Sequence, residues 1–116
     1  MWTTRRKIVY TDINKLEYER YIYMQKITMF YLTDCGYCHK AHRAIEELMA
    51  QNADYAKLEI EKIEEDEHMD IAETYDYYAV PTFYIGREKL FEAHIGMTYE
   101  DIREEVRKVF DAALAR

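Results

Sequence analysis

The hydrophobic positions change period several times along this chain, and each change predicts an element. Residues 26–33 form a nearly unbroken apolar run, Ile27-Thr28-Met29-Phe30-Tyr31-Leu32, bounded by Asp34 and Gly36. A run without alternation predicts a strand buried on both faces. Ala41, Ile45, Leu48 and Met49 then recur at the three- and four-residue spacing of an amphipathic helix. Over residues 56–63, Leu58 and Ile60 alternate with Glu59 and Glu61, which predicts a half-wet strand near a sheet edge. Ile71, Tyr75 and Tyr78 form the stripe of a second helix. Val80–Gly86 reads as a strand opening on Pro81, where no ladder N–H is lost. Gly86–Lys89 then turns into a partner strand over Leu90–Ile95. Thr98 and Asp101 have the spacing of a capping box, and Ile102, Val106, Val109, Phe110 and Ala113 share one face of a closing helix. From residue 26 the order is β-α-β-α-β-β-α, an α/β domain.

The first 24 residues read two ways. Lys7–Tyr10 as a strand, with a capped helix from Asp12 carrying Ile13, Leu16 and Tyr21, would add a leading β-α unit. The rival is an extension ahead of a domain over residues 25–116, with the functional chain starting near Met24.

Composition narrows the class. A length of 116 residues suits one domain with one core. With 49% hydrophobic and 34% charged residues the chain reads as globular, and its apolar runs are far too short to cross a bilayer. The basic start Met1–Lys7 leads into no apolar signal segment, because Thr11, Asp12, Asn14 and Lys15 interrupt it, so a cytoplasmic location is expected. A net charge of −7 argues against a nucleic-acid partner, which would demand a basic patch.

Cys35 and Cys38 are the only cysteines and form one C-x-x-C, which rules out a disulfide framework. In a cytosolic chain such a pair is redox-active or ligates a metal. A strand running into the motif and a helix starting at it set the first sulfur against unpaired N–H groups and the positive end of a helix dipole. Those groups stabilise a thiolate. Cys35 at the helix tip is then reachable, while Cys38, one turn in, faces the core and can attack a mixed disulfide. Gly36 is expected to permit the tight turn between them. His39 and Lys40 add positive charge nearby and Asp34 opposes it. The metal reading takes Cys35, Cys38, His39 and His42 as C-x-x-C-H-x-x-H. Zinc sites usually draw their second ligand pair from a separate segment, which weakens that reading. The blandest alternative is an inert pair of core cysteines.

Cys35-Gly36-Tyr37-Cys38, followed by Val80-Pro81-Thr82, resembles the thioredoxin and glutaredoxin families. Tyr75, Gly96, the ending Phe110–Leu114 and Lys7–Asp12 extend the resemblance. It implies a thioredoxin fold: a mixed four- or five-stranded sheet flanked by helices. It also implies a cis Val80–Pro81 bond, and a loop of Val80, Pro81 and Thr82 that docks substrate, with Gly36 and Tyr37 shaping access to the sulfur. The implied activity is thiol–disulfide exchange on protein disulfides, with Cys35 attacking and Cys38 resolving. Electrons would come from a reductase or glutathione, with no resident cofactor or metal, in a monomer or weak dimer. Two alternatives follow from the glutaredoxin side: a glutathione-dependent enzyme, or a non-catalytic [2Fe–2S] cluster carrier. The chain departs from both families. Asp34 precedes the motif where thioredoxins carry Trp, Met29 replaces their buried Asp, and Gly96-Met97-Thr98 stands where glutaredoxins have a glutathione-binding turn.

The remaining features have plainer readings. Tyr18, Tyr21 and Tyr23 are expected to pack onto the domain rather than form a dimer face. Tyr78 is expected in the core, with Tyr77 exposed. The acidic run Glu61–Asp70 lacks the glycine of an EF-hand loop and reads as solvated. His94 reads as an exposed strand residue.

Overall fold

The structure, a computed structural model, describes residues 26–116. The leading β-α unit, and with it Tyr18, Tyr21 and Tyr23, falls outside the described residues. Strand β1 (Ile27–Tyr31) leads into helix α1 (Gly36–Gln51), a short α2 (Ala53–Ala56) and β2 (Ile60–Glu64). A single-turn α3 (Met69–Ala72), the hairpin β3 (Thr82–Ile85) and β4 (Glu88–Glu92), and α4 (Tyr99–Ala115) complete the order. The described strands make one sheet in the order β2-β1-β3-β4. β1 runs parallel to β2 and antiparallel to β3, and β3 runs antiparallel to β4, so the sheet is mixed.

β1 is interior to the sheet and covered on both faces, which is why its sequence shows no alternation. Ile27 and Met29 face a core shared with Ala41, Ala44, Ile45 and Leu48 of α1 and Phe83 and Ile85 of β3. All five apolar stripe positions of α4 are buried there. Each fully buried side chain of Val, Ile or Phe size contributes about 1.5–3 kcal/mol. The start of α4 is fixed by the expected capping box: Thr98 Oγ1 accepts from the Asp101 N–H at 3.1 Å, and the Asp101 carboxylate accepts from the Thr98 N–H at 3.0 Å. On the other face Phe30, Ile63, Ala72 and Tyr84 form a second cluster with Tyr75, Tyr77 and Val80. Phe30 stacks on Tyr77 with centroids 5.0 Å apart, and Tyr75 lies 4.8 Å from both Phe30 and Tyr84.

Three elements differ from the expectation. The strand expected over residues 56–63 begins only at Ile60, because Asn52 caps a helical turn over Ala53–Ala56, accepting from the Asp54 and Tyr55 N–H groups. As expected, β2 is an edge strand. The second helix stops at Ala72, since side chains take the carbonyls a longer helix would use. Thr74 Oγ1 donates to the Ile71 carbonyl, Arg87 to that of Thr74, and Tyr84 OH to that of Asp76. The Ile71–Tyr75–Tyr78 stripe therefore does not form: Tyr78 is 93% exposed while Tyr77 packs on Phe30, the reverse of the expected assignment. Finally, β4 ends at Glu92, so His94 is exposed beyond the strand and Ile95 is 92% exposed.

Candidate functional site

The end of β1 delivers the chain to Cys35, the N-cap of α1, whose backbone is extended (φ −136°, ψ 115°). Its Sγ accepts the Cys38 N–H at 3.2 Å, as an N-cap side chain does. Cys35 is partly exposed, Cys38 is fully buried, and both are free thiols. Burial, reinforced by the Cys35 hydrogen bond and opposed by the Leu32 backbone, pushes the Cys38 thiol up to about 12. Cys38 therefore keeps its proton at neutral pH.

Across from the cysteines lies the Val80–Pro81 bond, which is cis. The Cys35 thiol points at the Val80 carbonyl, 3.7 Å away. The segment leading to this bond has no helical or strand bonding of its own, so side chains hold it. Glu92 of β4 accepts from the Tyr78 N–H at 2.6 Å and the Ala79 N–H at 2.7 Å, and its other oxygen pairs with Lys89 at 2.6 Å. Those hydrogen bonds outweigh the effect of burial and hold the Glu92 carboxyl below its ordinary value. Thr82 Oγ1 donates to the Ala79 carbonyl, and the Ala93 N–H donates to that of Pro81 at 3.0 Å. Tyr77 OH donates to Glu65 at 2.7 Å, and the Glu65 charge adds to the upward shift at Cys38.

Two further contacts frame the motif. The Tyr37 hydroxyl accepts from the Gly96 N–H at 2.8 Å, tying the Ile95–Gly96 turn to the first turn of α1. Gly96 sits at φ 97°, a conformation that requires glycine. Glu64, nearly buried at the end of β2, accepts from the Thr33 N–H at 3.3 Å, the Thr33 hydroxyl at 3.2 Å and the Glu67 N–H at 2.9 Å. The Thr33 carbonyl in turn receives His39 Nε2 at 2.8 Å, so Glu64 and His39 together fix the segment before Cys35.

Of the expected site residues, Cys35, Cys38 and Val80 meet directly with Tyr37 between the cysteines, and the expected turn role of Gly36 is corrected. A Cβ on Gly36 would meet nothing within 4 Å, and its φ is not left-handed, so the turn does not depend on glycine there. Thr82 is completely buried, and its hydroxyl braces the loop from inside. The histidines of the metal alternative turn elsewhere: His39 to Thr33, and His42 to Lys62 at 3.0 Å with its ring on Tyr31. Glu64, Glu65 and Glu92 were not expected here. The first two belong to an acidic run that reads as solvated, and the sequence spacing of Glu92 from its targets carries no motif.

The family model for thioredoxin matches residues 9–108, a span that begins ahead of the described residues, and the chain belongs to the thioredoxin family of thiol–disulfide oxidoreductases. Among solved structures it is similar to a mutant thioredoxin from Halobacterium salinarum NRC-1, at 22% identity over 73% of this chain and 74% of that one, with a TM-score of 0.49. It is also similar to the holo form of glutaredoxin C1 from Populus tremula x tremuloides, at 17% identity over 82% of this chain and 95% of that one, with a TM-score of 0.42. No curated protein matches the chain.

Proposed function

We propose that this protein exchanges disulfides with other proteins, with Cys35 as the attacking sulfur and Cys38 as the resolving one. The observation that carries the reading is the asymmetry of the pair: a partly exposed Cys35 at a helix N-cap and a fully buried Cys38 whose amide points at its sulfur. The Cys35 thiolate attacks one sulfur of a substrate disulfide. A mixed disulfide forms and the other substrate sulfur leaves with the electron pair. Cys38 then loses its proton and attacks Cys35 Sγ, which closes the Cys35–Cys38 disulfide and releases the second substrate thiolate. The substrate gains two electrons and the protein loses two. An extended substrate segment fits alongside Val80: among the described residues its carbonyl is engaged only by the Cys35 thiol and its N–H has no partner.

A reductase or glutathione in a reducing cytoplasm would return the dithiol form. Turnover of a protein disulfide with each donor in turn identifies which one serves. Cys35→Ser should abolish turnover, and Cys38→Ser should accumulate a mixed disulfide visible by mass spectrometry. Wild-type turnover by the Cys35→Ser variant would refute the assignment.

A further inference from the structure

We propose that Tyr78 is a substrate-contact residue and that Glu92 is the positioning residue that presents it. The inference rests on the disulfide-exchange reading above and extends it to the side chain that selects the substrate. Tyr78 is 93% exposed, although it lies two residues before Val80 in a loop otherwise anchored to the sheet. An aromatic ring left in water usually belongs to a mobile segment, yet the Tyr78 backbone is held firmly. Its N–H and that of Ala79 both end on Glu92 Oε2, and Lys89 fixes the other oxygen. Charge-assisted bonds of this kind are about twice as strong as neutral ones, so the loop is ordered before anything binds. A ring held at its backbone but uncovered on its faces loses little freedom on docking, and such aromatic anchors dominate many interfaces.

The surface beside the ring indicates the occupant. Tyr78 borders an open cavity of about 270 Å³ that Met69, Ala72, Tyr75 and Tyr77 line with apolar surface and Glu65 and Glu73 with carboxylates. Met69 is itself 49% exposed. Two residues along the chain from Tyr78, the Val80 carbonyl meets the Cys35 thiol at 3.7 Å. The fitting partner is an extended protein segment with an apolar side chain next to its cystine. The cystine sulfur would meet Cys35 while that neighbouring side chain packs on Tyr78.

The test measures reduction of insulin with dithiothreitol as reductant, comparing wild type, Tyr78→Ala, Glu92→Ala, Glu92→Gln and the Tyr78→Ala/Glu92→Ala double variant. Tyr78→Ala and Glu92→Ala should each raise KM about fivefold or more, with kcat changing less than about twofold. The double variant should be no worse than the more severe single one, because an unclamped Tyr78 has already lost its function. Glu92→Gln keeps an oxygen for the two amides and should recover part of the KM. Loss of folding would instead lower kcat through the active fraction, and Tyr78→Ala at so exposed a position separates the two effects. If Tyr78→Ala leaves KM within twofold of wild type, or if the two KM effects multiply in the double variant, the inference fails. If the wild type reduces no insulin, the disulfide-exchange reading fails first.

Discussion

Replacing Gly36 by proline should stabilise this protein, although the glycine lies inside the redox motif. Gly36 is the first residue of α1, where a backbone N–H has no intrahelical partner and a proline ring loses nothing. Its own N–H has no partner among the described residues. A proline also restricts the residue before it to extended backbone, and Cys35 already lies there at φ −136° and ψ 115°. The space a Cβ would take at Gly36 is open, so the substitution starts from an uncrowded position. What remains is the unfolded chain, which loses freedom when glycine becomes proline. The expected gain is about 0.4–1 kcal/mol, which for a domain of this size raises Tm by about 2–8 °C. Thermal unfolding followed by circular dichroism, with the cysteines kept reduced, measures it. Gly96→Ala is the control, because a side chain at φ 97° is strained and should cost about 1–3 kcal/mol. A lower Tm for Gly36→Pro would show that the N–H of Gly36 is engaged or that the turn needs glycine after all.

Two pH-dependent predictions follow from buried groups near the motif. The Cys38 thiol rises from its ordinary 9.0 to about 12 in the folded chain. The unfolded chain therefore ionises first, and stability that is complete below about pH 9 is lost as pH rises toward 12, at up to about 1.4 kcal/mol per pH unit. Urea unfolding of the reduced protein should show this loss and Cys38→Ala should lack it; parallel curves for the two would refute the burial argument. Glu64 shows the opposite sign, because hydrogen bonds from Glu67 and Thr33 outweigh burial and lower its value. Its contribution is present above the ordinary carboxylate range and is lost as pH falls through the folded value. Glu64→Gln should therefore show a shallower acid limb than wild type, and superimposable limbs would sink that account.

Elements whose partners are close in sequence, or whose faces repeat, were legible in the sequence. The stripe of α4 and its Thr98–Asp101 cap sit as the spacing predicts, and so does the strand–motif–helix junction that holds both cysteines. Legibility failed where a residue's role depends on something far along the chain. Tyr75 reads as part of a helical stripe and Tyr77 as exposed, yet both serve the second face of the sheet by packing on Phe30. Glu64 reaches back 31 residues to Thr33, and Glu92 reaches back 13 and 14 residues to Ala79 and Tyr78. A carboxylate that binds backbone amides leaves no signature, because the amide is the same whatever residue carries it. The supports of the site were hidden for that reason, while its two sulfurs were plain.

The pairing of β1 with β3 has a consequence for how activity can be used. Phe30 sits opposite Thr82 in that ladder, so the strand leading to Cys35 and the strand leaving Pro81 are aligned by one register. Cys35 and Val80, 45 residues apart, meet only when it is correct. A slip of one residue would turn Phe30 toward the wrong layer and carry the loop away from the sulfur. Recovery of disulfide exchange during refolding would therefore act as a chemical clock for this long-range contact.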